Sequence, residues 1–434
     1  MSGDADRTAE AELLEHYFDR LWPILRSITG DGVRETHSIL GELQPLQRYE
    51  FPTGTQVLDW IVPPEWRVRE AYVIRPDGTR ILDVHSNNLH LLNYSIPFTG
   101  EISREELEAH LFSYPEYPDV IPYQTCYYKS DWGFCIPHSQ RLALPEGKYR
   151  VVIDTELFDG ALTVSDLVLP GASDRQVLFS TYTCHPSLAI NELSGPLVTA
   201  FLALRIAAWP KRRLTYRFVF TAETIGAICY LSKFGQELVD KLDAGYVVTC
   251  VGDDAQFTLK RSKRGDTVAD RAAEYALKRA SVPHRTIDFR PSGSDERQFC
   301  SLGFNLPVAS IMRTVYGEYP QYHSSADNKS LMDFGAMTRT LDLYESVAKV
   351  IDLNAVIRNK IIHGEPQFSR RGNLYPAVSL RWPSDYSHAL KWLVHFADGK
   401  SDLLSIAQRS GQDLDLLAEV ADRAIELDVF ESVG

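Results

Sequence analysis

The 434-residue chain has few cysteines, no excess of positive charge and no long hydrophobic run. Its six cysteines, Cys126, Cys135, Cys184, Cys229, Cys250 and Cys300, form no CxxC pair. Sparse thiols in a chain this large read as reduced cysteines rather than a disulfide framework. No apolar stretch approaches the roughly 20 residues that a bilayer-spanning helix needs. The N-terminal segment MSGDADRTAEAELLEHYFDRLW has neither the basic start nor the apolar run of a secretory leader. These absences set the expectation of a cytoplasmic protein with no membrane association. Lysine and arginine number 45 against 58 acidic residues, a net charge of −13. Such a chain repels nucleic acid in bulk, so no nucleic-acid partner is expected. Internal repeats and low-complexity tracts are also missing.

What is present is ordinary for a globular protein, with 44% hydrophobic and 24% charged residues. The length points to two or three domains. Leu13, Leu14, Phe18, Leu21, Trp22 and Leu25 recur at helical spacing and predict a first helix with one buried face. From Phe51 to about Ile136, short alternating runs broken by Asn, Gly or Pro read as a β-rich module. Within it lies the aromatic stretch YQTCYYKSDWGFC, Tyr123 to Cys135, which suits either core packing or one wall of a cleft. From Lys148 the pattern alternates between apolar strand-like runs (YRVVIDTEL, VLFSTYT, YRFVFTA, GYVVTCVG, HRTIDF, VASIM) and helical ones. The helices are predicted over Ser194–Trp209, Gly226–Leu238, Thr267–Arg279 and Phe334–Ile351. This is an α/β pattern: a mostly parallel central sheet with helices on both faces. Ligands of such sheets bind beyond the carboxyl ends of the strands.

A third segment carries helical patterns at His388–Ala397, Asp402–Arg409 and Asp413–Asp428, separated by Gly399 and Gly411, and has the form of a winged helix. From Asp398 to Gly434 it holds nine acidic and three basic residues. That sign suits packing or protein contact, not phosphate tracking. The expected division is therefore an α/β core at 1–50 and 140–357, a β-rich insertion at 51–139 and a winged-helix domain at 358–434.

Polar clusters fall just beyond the predicted strands: Cys184-His185-Pro186-Ser187, Asn191-Glu192, Glu223-Thr224-Ile225-Gly226, Asp253-Asp254, Ser294-Asp295-Glu296-Arg297 and Tyr322-His323 through Asn328. Each alone has a structural explanation, such as a loop histidine or a helix cap. Together they place two histidines, a glutamate and several Asp or Asn residues at one sheet edge. Neutral imidazole and carboxylate are ligands that zinc prefers. A carboxylate beside a metal can also move a proton.

The segments CHPSLAINELSG, TAETIGA, TCVGDD, SGSDERQF and YHSSADN, in this order, resemble the zinc aminopeptidase family that includes leucine aminopeptidases, glutamate carboxypeptidase and glutaminyl cyclase. The resemblance is stronger to a bacterial branch of aminopeptidase-like proteins with an inserted β-rich domain and a winged-helix tail. Members of that branch stand beside polysaccharide and natural-product pathways. It implies that His185 and His323 are metal ligands and that Glu223 is the general base. It places Asn191 at the position of a bridging aspartate, Thr224 at that of a ligating glutamate and Cys250 near that of another metal carboxylate. Asp295, taken with Glu223 as catalytic, and Glu296 fall in a loop that faces substrate in relatives. Asn191 and Thr224 each remove a charge that a two-zinc centre uses, so one zinc ion is expected rather than two, held by His185, His323 and one of Glu223, Cys250 or Asn191.

The function implied is metal-assisted hydrolysis of an amide in a small peptide or aminoacylated metabolite. Tyr322 would aid the oxyanion, and Glu192 or Glu296 would hold a free α-amine. Two alternatives stand beside it: acyl transfer on the same scaffold, and a non-catalytic binding protein that uses its acidic tail for protein contacts. Self-association is open.

Overall fold

The computed structural model describes residues 2–371, 374 and 384–433. Met1, 372–373, 375–383 and Gly434, which fall in the expected first and third segments, lie outside the described residues. Eight strands form the central sheet, in the spatial order Gln47–Pro52, Ala161–Leu169, Thr215–Thr221, Gln176–Tyr182, Leu242–Val247, Val308–Met312, Phe257–Lys260 and His284–Ile287. The middle four run parallel. Antiparallel pairing enters on both sides, through Ala161–Leu169 at one and Phe257–Lys260 at the other. The expected parallel sheet is thus the centre of a mixed one.

Burial explains why the central strands read as unbroken apolar runs. Every residue of Gln176–Tyr182 and Thr215–Thr221 is buried, which requires cover on both faces. Successive side chains enter opposite layers, as strand geometry demands. Phe179, Phe218 and Tyr246 join one apolar cluster, and Leu178, Val219 and Val247 the other. Helices Ser2–Leu21, Ser194–Ala207, Val268–Arg279 and Phe334–Leu353 supply the first layer through residues such as Leu14, Leu197, Ala272 and Leu341. Helix Ile225–Lys241 and the inserted β-module supply the second. One described helical stretch, Ala189–Ala207, is long and apolar enough to cross a membrane, and 89% of that window is buried inside the protein. It is a core helix.

Two boundaries move. Strand Lys148–Phe158 does not join the central sheet. It pairs with Glu65–Ile74 and Phe98–Ser103 in the smaller sheet of the insertion, which therefore extends past residue 139. Its burial alternates, with Tyr149, Val151, Ile153 and Thr155 buried and Lys148, Arg150 and Asp154 exposed. That is the pattern of a sheet with one wet face. In the third segment, helices Asp385–Phe396, Leu403–Ser410 and Leu414–Glu426 accompany strands Val356–Asn359, Asp398–Asp402 and Phe430–Ser432. Val356–Asn359 is the middle strand of the three, so the winged helix begins before residue 358. Leu390, Leu404 and Leu417 belong to the same apolar cluster as Leu341 and Ala272, which docks the tail on the core.

Candidate active site

Three parallel strands deliver the site. His185 lies three residues beyond Tyr182, and Glu223 lies two beyond Thr221. Leu242–Val247 runs on to Cys250. The fourth contribution, His323, arrives on a loop tied to the insertion. Tyr123 N–H donates to the His323 carbonyl (2.8 Å), and Ser325 N–H donates to the Ile121 carbonyl (2.8 Å). The insertion thereby sets the position of His323. Ser187, Thr224, Cys250 and His323 all have positive φ, at 46, 65, 54 and 53°. Such backbone is uncommon outside glycine and gathers at sites that over-determine it.

The two imidazoles stand close together, with ring centroids 5.4 Å apart. Tyr123 packs against both, at 4.8 Å from His185 and 5.2 Å from His323. His185 Nδ1 pairs with Glu192 Oε2 at 2.8 Å, and its Nε2 lies 3.6 Å from Glu223 Oε2. Burial, above all, pushes both histidines down to about 3, so both are neutral imidazoles and able to ligate. Burial, then Asp295, pushes Glu223 well above the ordinary carboxylate range, and Arg297 opposes that rise. His323 Nε2 and Asn191 Oδ1 are buried with no hydrogen-bond partner.

A cavity of about 510 Å³ opens onto His185, His323 and Glu223. Tyr114, Tyr123, Tyr127 and Tyr128 line it with Trp60, so the first half of the aromatic stretch is a cleft wall, while its Cys126, Trp132 and Phe134 are buried in the core of the insertion. Thr224, Ile225 and Arg297 also line it.

Several expected residues hold other posts. Glu192 does not face substrate. It is fully buried and orients His185 through Nδ1, as a carboxylate behind a ligating histidine does. Glu296 is also fully buried, and it pairs with Lys260 and accepts from Tyr316 Oη at 2.9 Å. Neither lines the cleft, so neither is placed to meet a substrate amine there, although each keeps one buried oxygen unpaired. Asp295 is buried too, and accepts from Thr224 N–H at 2.7 Å. It fixes the turn that presents Glu223 and does not line the cleft. Tyr322 stacks on His323 at 3.9 Å, and its ring faces the neighbouring cavity with Tyr316. Asn191 and Cys250 lie side by side, Nδ2 to Sγ 4.0 Å, and neither lines the open cleft. Burial pushes the Cys250 thiol up to about 12, in an apolar cluster with Ile190, Met312 and Val315.

Four further residues shape the site: Cys184, Asp327 and Arg297 fell inside the polar clusters read from the sequence without a role assigned to them, and Arg26 carried no sign there. Cys184 packs its Sγ 3.3 Å from His185 Nδ1, and the ligand atoms of Cys184, His185 and Glu192 all lie within 4.8 Å of one another. Arg26, fully buried, donates from Nε to the His185 carbonyl at 3.1 Å. Asp327 accepts from the Ile190 and Asn191 N–H groups at 2.7 and 3.0 Å and so anchors the turn Ala189–Leu193. Arg297 lines the cleft and donates to Thr224 Oγ1 at 2.8 Å.

Comparison with known proteins fits this geometry. Residues 15–354 match the family described as a domain of unknown function, DUF4910, and residues 355–432 match a winged helix-turn-helix. The chain belongs to the DUF4910 family. A Clostridium acetobutylicum protein is 38% identical over 418 residues, covering 96% of this chain and 95% of that one. Its name provisionally assigns it to polysaccharide biosynthesis and gives it an aminopeptidase-like domain. A crystal structure from the same organism, provisionally described as a peptidase, superposes with a TM-score of 0.88 at 36% identity, over 99% of this chain and 98% of that one. The zinc aminopeptidase of Bacillus subtilis matches with a TM-score of 0.58 at 10% identity, over 77% of this chain and 93% of its own. The DUF4910 chain therefore has the zinc-aminopeptidase fold, with an added winged helix.

Proposed function

We propose that this DUF4910 chain is a zinc-assisted amide hydrolase acting on a small peptide or an aminoacylated metabolite. One observation carries the reading. Two neutral imidazoles face each other at the strand ends beside a carboxylate, and one of them keeps a buried, unpartnered Nε2. This donor set fits one divalent cation. His185 Nε2 and His323 Nε2 would hold it, with Asn191 Oδ1 or Glu223 completing the set. Two ions do not fit, because Asn191 and Thr224 bring no charge. When bound, zinc supplies Lewis-acid polarisation of water and of the amide carbonyl.

The chain's own residues supply the remainder. Glu223 takes the proton of the attacking water and passes it to the departing amide nitrogen. A C–O bond forms, the C–N bond breaks, and the products are a carboxylic acid and an amine. Glu192 and Cys184 fix the tautomer of His185 through Nδ1. Asp295 holds the turn that aims Glu223. The aromatic wall excludes water and shapes the acyl site. The Clostridium relative's name supports a biosynthetic setting for such a metabolite.

The test is elemental analysis of the purified chain, followed by turnover of amide substrates. About one zinc per chain is expected. Glu223→Gln should lower turnover by about 10²–10⁴-fold, the usual share of a general base, while metal content stays unchanged. Well under one zinc per chain after reconstitution, or full turnover in the variant, would refute the reading.

A further inference from the structure

The cleft presents a cation where an aminopeptidase would need a spare carboxylate. Among the described residues that line it, Glu223 is the one carboxylate and Arg297 the one fixed positive charge. Glu192 and Glu296 are withdrawn into buried pairs. Among the described residues that line the cleft, no acidic group besides Glu223 is left to receive a free α-amine.

Arg297 is itself under-used. Its Nη2 donates to Thr224 Oγ1 at 2.8 Å, which points the guanidinium at the turn that carries Glu223. Its Nε is buried with no acceptor. Among the described residues, no carboxylate oxygen lies within 4.0 Å of its guanidinium nitrogens. Half-buried arginines are usually paired, because the guanidinium fork matches a carboxylate and an unpaired buried donor is costly. What would complete Arg297 is an anion brought by the ligand.

The charge count narrows the class. One guanidinium opposite one catalytic carboxylate suits a monoanion. Counting the chain's own groups and no metal, a phosphate dianion would meet too little positive charge beside Glu223. The tie to Thr224 places that anion next to the amide that Glu223 serves, while the tyrosines and Trp60 that line the same cleft suit an apolar or ring-bearing group. We infer that Arg297 is a specificity-determining residue that binds the α-carboxylate of an N-acylated amino acid, so that the ligand enters the cleft as an anion and not as a free-amine peptide. Hydrolysis would then release a carboxylic acid and an amino acid, water adding across the C–N bond. This assignment rests on the amide-hydrolase reading for its chemistry but not for its test.

The test is binding by calorimetry to the full-length Glu223→Gln chain, in which turnover cannot confuse the signal. Three probes are compared: N-acetyl-L-phenylalanine and N-acetyl-L-phenylalaninamide, which differ only in the carboxylate, and L-phenylalaninamide, which has a free amine in place of the acyl cap. The carboxylate should bind roughly tenfold or more tightly than the neutral amide, a charge-assisted bidentate pair. Adding Arg297→Gln should bring the two within about twofold, and Arg297→Lys should restore part of the difference. The neutral amide should bind equally with or without Arg297, which a merely structural arginine would not allow. Tighter binding of L-phenylalaninamide, equal weakening of all probes by Arg297→Gln, a preference for inorganic phosphate, or binding of none of the three would each overturn the proposal. If the carboxylate preference appears and wild-type turnover does not, the hydrolase reading fails and this one stands.

Discussion

The two ends of the same strands bury polar groups in opposite ways. At the N-terminal end, Gln176 opens one strand and Arg217 stands near the start of its neighbour. Arg217 donates from Nε to Gln176 Oε1 (3.0 Å), from Nη1 to Asp166 Oδ2 (3.1 Å) and Tyr230 Oη (2.7 Å), and from Nη2 to Glu237 Oε1 (2.8 Å). Asp166 also accepts from Tyr230 and Tyr49, and none of these side chains keeps a buried atom without a partner. At the C-terminal end the same strands run into His185 and Glu223. There Asn191, Glu192, Asp295, Arg297 and His323 each keep a buried polar atom unpaired. Native proteins pair nearly all such atoms, so a cluster of exceptions marks a place built for something other than stability. The paired end holds the sheet, and the unpaired end is the one that the proposed function uses.

Substitutions at the two ends should therefore differ in sign. Arg217→Met leaves Asp166 buried without its charge partner and should cost about 3–5 kcal/mol, read as a lower urea midpoint. Glu223→Gln removes a carboxylate held against its ordinary ionisation and should leave stability unchanged or raised in the metal-free chain. Equal destabilisation by both would erase the distinction. A smaller effect is expected where the winged helix docks. Asp402 accepts from Arg271 at 2.6 and 3.1 Å and from Asn354 Nδ2 at 3.1 Å, and it caps helix Leu403–Ser410 through Ser405 N–H at 2.8 Å. Losing a cap and a half-buried ion pair, Asp402→Ala should cost about 2 kcal/mol, and proteolysis should then cut within the tail before the core. Cleavage of core and tail together would mean that the two unfold as one unit.

Much of this was legible in the sequence because periodicity reports burial. The unbroken apolar runs VLFSTYT and YRFVFTA are the strands covered on both faces, and the four core helices lie within a few residues of their predicted bounds. The alternation of Lys148, Arg150 and Asp154 with buried residues carried the sign of a one-faced sheet, but the run of Val and Ile beside it read as core. His185, Glu223 and His323 were legible because each follows a strand or sits in a polar loop. The roles of Glu192, Glu296 and Asp295 were not legible. A carboxylate in a polar motif looks alike whether it faces water, an imidazole or Lys260, and only packing decides. Arg26 was illegible for the same reason, since nothing near the end of the first helix marks a guanidinium that will reach the His185 carbonyl.

The smallest expected effect probes the middle of the comparison, at a histidine that is buried, paired and neutral. His37 Nδ1 lies 2.8 Å from Ser165 Oγ, and its Nε2 lies 2.8 Å from Thr183 Oγ1, two residues before the ligand candidate His185. Burial pushes it down from 6.5 to about 3. The folded chain therefore keeps His37 neutral where the unfolded chain protonates it. Its contribution is complete above about pH 6.5 and declines as pH falls, with the loss ending near pH 3. Between pH 6.5 and pH 5 that loss amounts to about 1–2 kcal/mol. His185 and His323 act with the same sign, so the informative quantity is a difference between chains. His37→Gln keeps one hydroxyl partner and removes the titration. Its urea midpoint should fall less than that of the wild type between pH 7 and pH 5, and zinc content at pH 7 should be the same in both. If the two chains lose stability in parallel, His37 is not held neutral, and acid sensitivity belongs to the unpaired end alone.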